Sequence, residues 1–215
     1  GLYHKGIESI FITHQLQIRS PFFLGLATKK NHQYIHNFNK VWVPDHKNEN
    51  ERIAGLLSDL KGIKIPVEYI GPLSALKDLE INSSGNTSDY LILLSGVEPQ
   101  RSILEKEILE KFRHSEKKLV LVRGSESELK LTNKNIKVFN FAFGADLKKL
   151  ILGADTIICR SGYSTLMDLH LLGRKKNILI PTPGQTEQEY LANYWEEKFG
   201  TRVCEQKNIS SFKFD

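Results

Sequence analysis

Residues 155–181 read DTIICRSGYSTLMDLHLLGRKKNILIP. The run from Asp155 to Arg160 is short, rich in Ile and free of polar alternation, the composition of a parallel strand covered on both faces. Ser164 to Leu172 has helical character, Gly173 suits the residue that ends a helix, and Asn177 to Pro181 is a second apolar strand. Working outward, the same alternation continues on both sides. Tyr90 to Ser95, Lys118 to Arg123 and Ile136 to Phe141 read as further strands. Arg101 to Arg113, Asp146 to Leu152 and Glu187 to Lys198 read as helices, with Pro99 suited to a first helical turn and Leu147, Leu150 and Ile151 on one face. Strand and helix repeated in this order predict an α/β fold with a Rossmann-like, doubly wound parallel sheet.

The first seventy residues carry fewer elements. Ile7 to Thr13, Val41 to Pro44 and Ile63 to Ile70 read as strands, Pro21 to Asn37 and Glu49 to Ser58 as helices, and Gly71-Pro72 as a joint. A sheet beginning at Ile7 with so little around it leaves its faces and edges uncovered. We therefore expect residues 1–70 to be the remnant of a larger N-terminal domain and residues 71–215 to be a separate C-terminal domain. The polar run Asn82 to Ser88 reads as a surface loop.

Of the 215 residues, 40% are hydrophobic and 26% charged, which places the chain among ordinary globular proteins. The net charge of +5 is spread along the sequence, and clusters such as Lys117-Lys118 and Arg174-Lys175-Lys176 are short. That argues against nucleic acid as a partner and leaves room for phosphorylated substrates or a peripheral membrane contact. Cys159 and Cys204 sit in apolar runs and read as reduced core residues. No apolar stretch approaches the ~20 residues of a membrane span, and Gly1 to Lys5 has no signal-peptide pattern. A cytoplasmic protein is expected, touching at most the inner face of a membrane. No Asp-X-Asp pair is present, and His32 and His36 lack a third ligand, so no metal is expected.

In open parallel sheets the ligand lies beyond the carboxyl ends of the strands. Ser95-Gly96-Val97-Glu98-Pro99-Gln100-Arg101 is one such loop: Gly96 permits close backbone approach, and Gln100 or Arg101 offers a side-chain donor to phosphate. Arg123, at the next strand end, is a second candidate for a phosphate or base, or else a surface arginine. Phe143-Gly144 offers an aromatic wall beside accessible backbone, suited to a flat pyrimidine, unless Phe141 and Phe143 are core residues. In the fourth loop, Arg160, Ser161 and Gly162 precede a helix whose N-terminus suits a pyrophosphate. Asp168 lies six residues past Gly162, roughly 9 Å along the helix axis, where a carboxylate can accept from ribose hydroxyls. The Pro181 to Glu189 loop brings Gln185, Glu187 and Gln188 to the rim with groups that bind sugar hydroxyls.

Two stretches, Arg160-Ser-Gly-Tyr-Ser-Thr-Leu-Met-Asp168 and Ile180-Pro-Thr-Pro-Gly-Gln-Thr-Glu-Gln-Glu-Tyr-Leu-Ala-Asn193, resemble the C-terminal domain of glycosyltransferase family 28. That family contains the N-acetylglucosaminyltransferase that forms lipid II, which implies a cell-envelope setting. The resemblance covers Gly71 to about Cys204. It implies the GT-B fold, two Rossmann-like domains with the nucleotide sugar held mainly by the C-terminal one. It further implies that Asp168 stands for the family's usual glutamate on the ribose, that Ser161, Gly162, Ser164 and Thr165 line the phosphates, and that Phe143-Gly144 holds uracil. By the same resemblance Gln188 meets the donor sugar and Ser95-Gly96 is a first phosphate loop, with less glycine than the family usually has. Glu189 stands where a second glutamine is common. Thr13 to Gln17 looks like the cleft-facing loop of the first domain, with His14 as the candidate group near the reacting centre, and Trp42 to Asp45 like its closing strand. A structural histidine is the alternative.

The implied reaction moves a hexose from a UDP-sugar to the hydroxyl of a glycan or lipid-linked acceptor, with inversion favoured by the resemblance and no cofactor beyond the donor. A non-catalytic sugar-nucleotide-binding subunit and a GT-B-like UDP-N-acetylglucosamine epimerase are the alternatives. A dinucleotide-dependent dehydrogenase is disfavoured, because no Gly-X-Gly-X-X-Gly follows a strand.

Overall fold

The structure, a computed structural model, describes residues 7–19, 24–81, 85, 87–129, 131 and 133–214. It divides into two compact units, Gly1–Leu73 and Ser74–Asp215.

The first unit has a three-stranded parallel sheet of β1 (Ile10–Ile12), β2 (Lys40–Val43) and β3 (Val67–Tyr69), in that order, with helix α1 at Leu24–Ile35. Leu16, Ile35, Val41 and Val43 form its fully buried centre, packed against Phe11, Ile63, Ile65, Val67 and Tyr69. Positions 20–23, where the sequence suggested that α1 begins, lie outside the described residues. The helix expected over Glu49 to Ser58 is not formed; only a single 3₁₀ turn, Gly55–Ser58, is present. The buried carboxylate of Asp45 accounts for the difference. It accepts from Ile53 N at 2.8 Å, Ala54 N at 3.1 Å and Ser58 Oγ at 2.7 Å, taking donors that a helix would use. The strand expected from Ile63 contracts to β3, with Ile63 and Ile65 packed in the core outside the ladder. Likewise the strand expected over Ile7 to Thr13 contracts to β1.

The second unit is a six-stranded, all-parallel sheet. Its strands are β4 (Ser88–Leu93), β5 (Leu119–Val122), β6 (Ile136–Phe139), β7 (Ala154–Cys159), β8 (Asn177–Leu179) and β9 (Arg202–Val203). Helices α2 (Gln100–Lys111), α3 (Gly144–Gly153), α4 (Tyr163–Leu171) and α5 (Thr186–Phe199) connect them. The order β6-β5-β4-β7-β8-β9 is that of a doubly wound Rossmann-like sheet, as the alternating pattern predicts. The short β9 went unread in the sequence. On one face Leu104, Ile108 and Phe112 of the α2 region pack against Tyr90, Ile92, Leu119 and Leu121. Leu91, between Tyr90 and Ile92, points to the other face by the pleat and is also buried. Helix α4 closes on Gly173 at φ +65°, the left-handed conformation expected of that glycine. Both cysteines are buried, and burial pushes the Cys159 thiol up to about 12 and Cys204 to about 11. Of the polar run Asn82 to Ser88, positions 82–84 and 86 lie outside the described residues. Among the described residues no helix is long and apolar enough to cross a membrane.

Candidate functional site

The sheet of the second unit reverses its winding at one place. From β4 the chain moves outward through β5 to β6, then returns to the other side of β4 as β7 and continues through β8 to β9. Leu93 of β4 is in register with Cys159 of β7, so the loops that follow them diverge from a common edge. This is the topological switch point at which open α/β sheets bind ligands.

Helix α4 starts there. Gly162 is its N-cap, with no side chain capping the first-turn amides. Those amides and the helix dipole make the mouth of α4 suited to anionic oxygen. Ser164 is exposed and Thr165 half-buried in the first turn. Ser161 is corrected from its expected role: its side chain is fully buried, and its hydroxyl donates to the Gln188 carbonyl at 2.7 Å, tying the β7–α4 turn to α5. Asp168 is half-buried along α4 and accepts from Ser74 Oγ at 2.5 Å. Burial raises its carboxyl above the usual range, opposed by the Ser74 hydrogen bond. Ser74 is a site residue that sequence reasoning missed. A serine two residues past Gly71-Pro72 carries no local signal of a partner 94 positions away.

Three arginines expected to face phosphate do not. Arg160 is 1% exposed. Its Nη1 donates to the carbonyls of Ile180 and Pro181 at 3.1 and 3.0 Å, and its Nη2 to Gln100 O and Gln206 Oε1 at 3.1 and 2.8 Å. It joins the ends of β7 and β8 to the start of α2, and burial pulls it down to about 10, opposed only in part by the charge of Glu107. Arg101 donates to Glu98 at 2.7 Å and to Glu105 at 2.6 Å. Arg123 donates to the other Glu105 oxygen, to Ser127 and, at 3.2 Å, to Asn140. All three guanidinium groups are buried and committed to protein acceptors, because a cation withdrawn from water must find partners within the protein.

The loop residues above them are open. Ser95 and Gly96 are exposed, and Gly96 has φ +103° with no heavy atom within 4 Å of the position a Cβ would take. Phe143 is 74% exposed and Phe141 42%, so the core alternative for this pair is overturned. Their rings stack with centroids 5.9 Å apart and planes 13° from parallel, immediately before α3. Gly144, at φ +53°, opens that helix.

In the Pro181 to Glu189 loop, Gln188 is held at both ends of its amide. Oε1 accepts from Thr182 N at 3.0 Å and Nε2 donates to Gln185 Oε1 at 2.6 Å. Glu189 Oε1 accepts from Gly184 N at 3.0 Å. Gln185 is exposed and Glu187 half-buried. A cavity of about 710 Å³ beside this loop is lined by Pro183, Glu189, Asn193, Glu205 and Phe212, and not by Gln185, Glu187 or Gln188.

His14 belongs to the first unit, half-buried in the turn after β1, where Gln15 N donates to Thr13 Oγ1 at 3.0 Å. The ring of His32 meets Leu16 O at 3.0 Å, and His36 Nε2 accepts from Lys64 N at 3.0 Å. Among the described residues no group of three His, Cys, Asp or Glu is arranged to hold a metal ion.

Residues 92–214 match the glycosyltransferase family 28 C-terminal domain. No curated protein matches the sequence. Among solved structures, MurG of Acinetobacter baumannii is similar at a TM-score of 0.56 and 13% identity, over 97% of this chain and 58% of that one. The glycosyltransferase of kitacinnamycin is similar at a TM-score of 0.61 and 13% identity, over 99% of this chain and 60% of that one. The spinosyn forosaminyltransferase SpnP reaches a TM-score of 0.53 at 13% identity, over 90% of this chain and 51% of that one. At such identities the likeness is one of fold, the GT-B fold. This chain spans about 60% or less of the length of each.

Proposed function

This chain belongs to glycosyltransferase family 28 through its C-terminal domain, and on that premise we propose that its second unit holds the nucleotide of a UDP-sugar while a hexosyl group passes to an acceptor hydroxyl. The observation that carries the reading is the α4 unit at the switch point. An uncapped helix mouth for the diphosphate stands one end of a helix away from a half-buried carboxylate for the ribose. The exposed Phe141-Phe143 stack supports a base-binding role for Phe143-Gly144, and the open Ser95-Gly96 turn supports a second phosphate contact. When the bond from the anomeric carbon to the diphosphate oxygen breaks, charge builds on the leaving group, and the α4 amides are placed to stabilise it. The three buried arginines act in this reading as struts beneath the loops. Residues 1–70 are, in the same proposal, the later part of an N-terminal domain, and a glycan or lipid-linked hydroxyl is the acceptor.

Calorimetry of the full chain with UDP and a panel of UDP-sugars tests the first half of the reading; micromolar to millimolar binding of UDP is expected. An assay for sugar transfer tests the second half. Consumption of a UDP-sugar to a 2-epimer without acceptor would replace transfer by epimerisation, and no heat with any uridine diphosphate compound would remove the nucleotide site.

A further inference from the structure

The segment that opens the second unit runs alongside the helices of the candidate site. Ser74 donates to Asp168 Oδ1 at 2.5 Å and accepts from Leu76 N at 3.0 Å, while Leu76 is buried. Further on, Lys148 of α3 donates to the carbonyls of Lys77 and Leu79 at 2.9 and 2.7 Å. The Leu79 side chain lies 3.9 Å from the position a Cβ would take on Gly144. The strap is thus fastened to α4 at the residue read as the ribose acid and to α3 beside the residues read as the base wall.

We propose that Ser74 is a specificity-determining residue of the nucleotide site, forming with Asp168 a two-oxygen reader of a ribose cis-diol, so that the site takes ribonucleotides in preference to either deoxy form. The inference rests on the nucleotide reading given above. Its warrant is a count of hydrogen-bonding capacity. A hydroxyl has one proton to donate and two lone pairs to accept with. Ser74 spends its proton on Asp168 and one lone pair on Leu76 N–H, so one lone pair remains. Asp168 gives one of the two lone-pair sites of Oδ1 to Ser74, and both sites of Oδ2 are without a protein partner among the described residues. The least committed acceptors of the pair are therefore the carboxylate oxygen Oδ2 and the hydroxyl oxygen of Ser74. A cis-diol brings two donors side by side. The serine also fixes the carboxylate rotamer that presents Oδ2, which a free aspartate on a helix would lack. Half-burial strengthens the preference, because a ligand lacking one hydroxyl leaves an acceptor partly desolvated and unpaired.

Titration calorimetry of the full chain with UDP, 2′-deoxy-UDP and 3′-deoxy-UDP tests this on wild type, Ser74→Ala and Ser74→Thr. Wild type is expected to bind each deoxy compound about tenfold more weakly than UDP. Ser74→Ala is expected to lose the discrimination against one of the two while keeping it against the other, which belongs to Asp168. Ser74→Thr retains the hydroxyl and both preferences. Wild-type ratios for both deoxy compounds in Ser74→Ala, at whatever absolute affinity, overturn the role of Ser74 and leave the nucleotide site standing. Absence of UDP binding in wild type overturns the site and the inference together. Should Ser74→Ala unfold, Ser74→Cys, similar in size and a poor hydrogen-bonding partner, carries the same ratio test.

Discussion

Arg101 donates to Glu105 at 2.6 Å, one turn further along α2, with both side chains withdrawn from solvent. The second carboxylate oxygen of Glu105 takes Arg123 from the end of β5. One acid therefore bridges two buried cations at the foot of the β4 and β5 loops, with Glu98 as a second carboxylate on Arg101. Burying such a network gains little over well-packed apolar residues, but removing one member leaves charge in a dry place.

Glu105→Ala is the sharpest test of that arrangement. It leaves Arg123 without a carboxylate and Arg101 with Glu98 alone, and the unfolding free energy should fall by about 3–5 kcal/mol. Urea denaturation followed by far-UV circular dichroism measures it. A midpoint within error of wild type would mean that the arginines find solvent, and their assignment as phosphate ligands would reopen.

Arg160→Lys separates fixed geometry from charge. A guanidinium reaches four acceptors on three segments, Ile180-Pro181, Gln100 and Gln206, whereas an ammonium has three donors on one atom. Losing at least two of these bonds should cost about 2–4 kcal/mol of stability. UDP affinity should fall with it, because the loops that Arg160 joins are those of the switch point. Retained stability with lost affinity would instead point to a direct contact with the ligand.

Much of this arrangement was legible beforehand, and the boundary of legibility has a physical reason. Strands β4, β5, β7 and β8 were readable because both faces are covered, which makes them continuous apolar runs. Their carboxyl ends were overrun by a residue or two, since Leu94, Arg160 and Ile180 continue the buried path after the ladder stops. The α4 mouth and Asp168 were readable because turn, cap and carboxylate are local to one helix. What a residue does with a distant partner was not. Nothing near Arg123 announces Glu105, nothing near Ser74 announces Asp168, and Asp45 dissolves an expected helix by gathering donors from 53, 54 and 58. Phe141 and Phe143 could be read either as an exposed wall or as core, because an apolar side chain carries no local sign of its exposure; both rings face solvent.

That exposed pair gives a prediction in which stability and binding part company. Phe143 packs on Phe141 and little else, so Phe143→Ala should leave the melting temperature within a degree or two. Loss of a base-stacking aromatic weakens nucleotide binding by about 1–3 kcal/mol, a fall in UDP affinity of roughly five- to 150-fold. Calorimetry and a melting curve on the same preparation decide it; unchanged affinity would remove the aromatic wall from the site.

The titration of Asp168 links stability and function with opposite signs. Burial raises its carboxyl in the folded chain, the Ser74 hydrogen bond opposing only in part. The folded state therefore takes up the proton at higher pH than the unfolded chain, whose value is about 3.9. The resulting stabilisation is complete below that value and is lost as pH rises through the folded one, so at neutral pH the ionised side chain is a net cost to the fold. Asp168→Asn removes the cost while keeping a carbonyl oxygen for the Ser74 proton, and its melting temperature at pH 7 should equal or exceed that of wild type. Binding runs the other way. Only the ionised carboxylate accepts from ribose on Oδ2 at full strength, so UDP affinity should fall at least about tenfold in the variant. Wild-type affinity should also decline on the acid side at a pH above the ordinary aspartate range. The terminal phosphate of UDP titrates near pH 6 by itself, so the quantity to follow is the ratio of wild-type to Asp168→Asn affinity across pH 4 to 8. That ratio should shrink toward one as acid protonates Asp168; a ratio constant across the range would mean that the carboxylate does not touch the nucleotide.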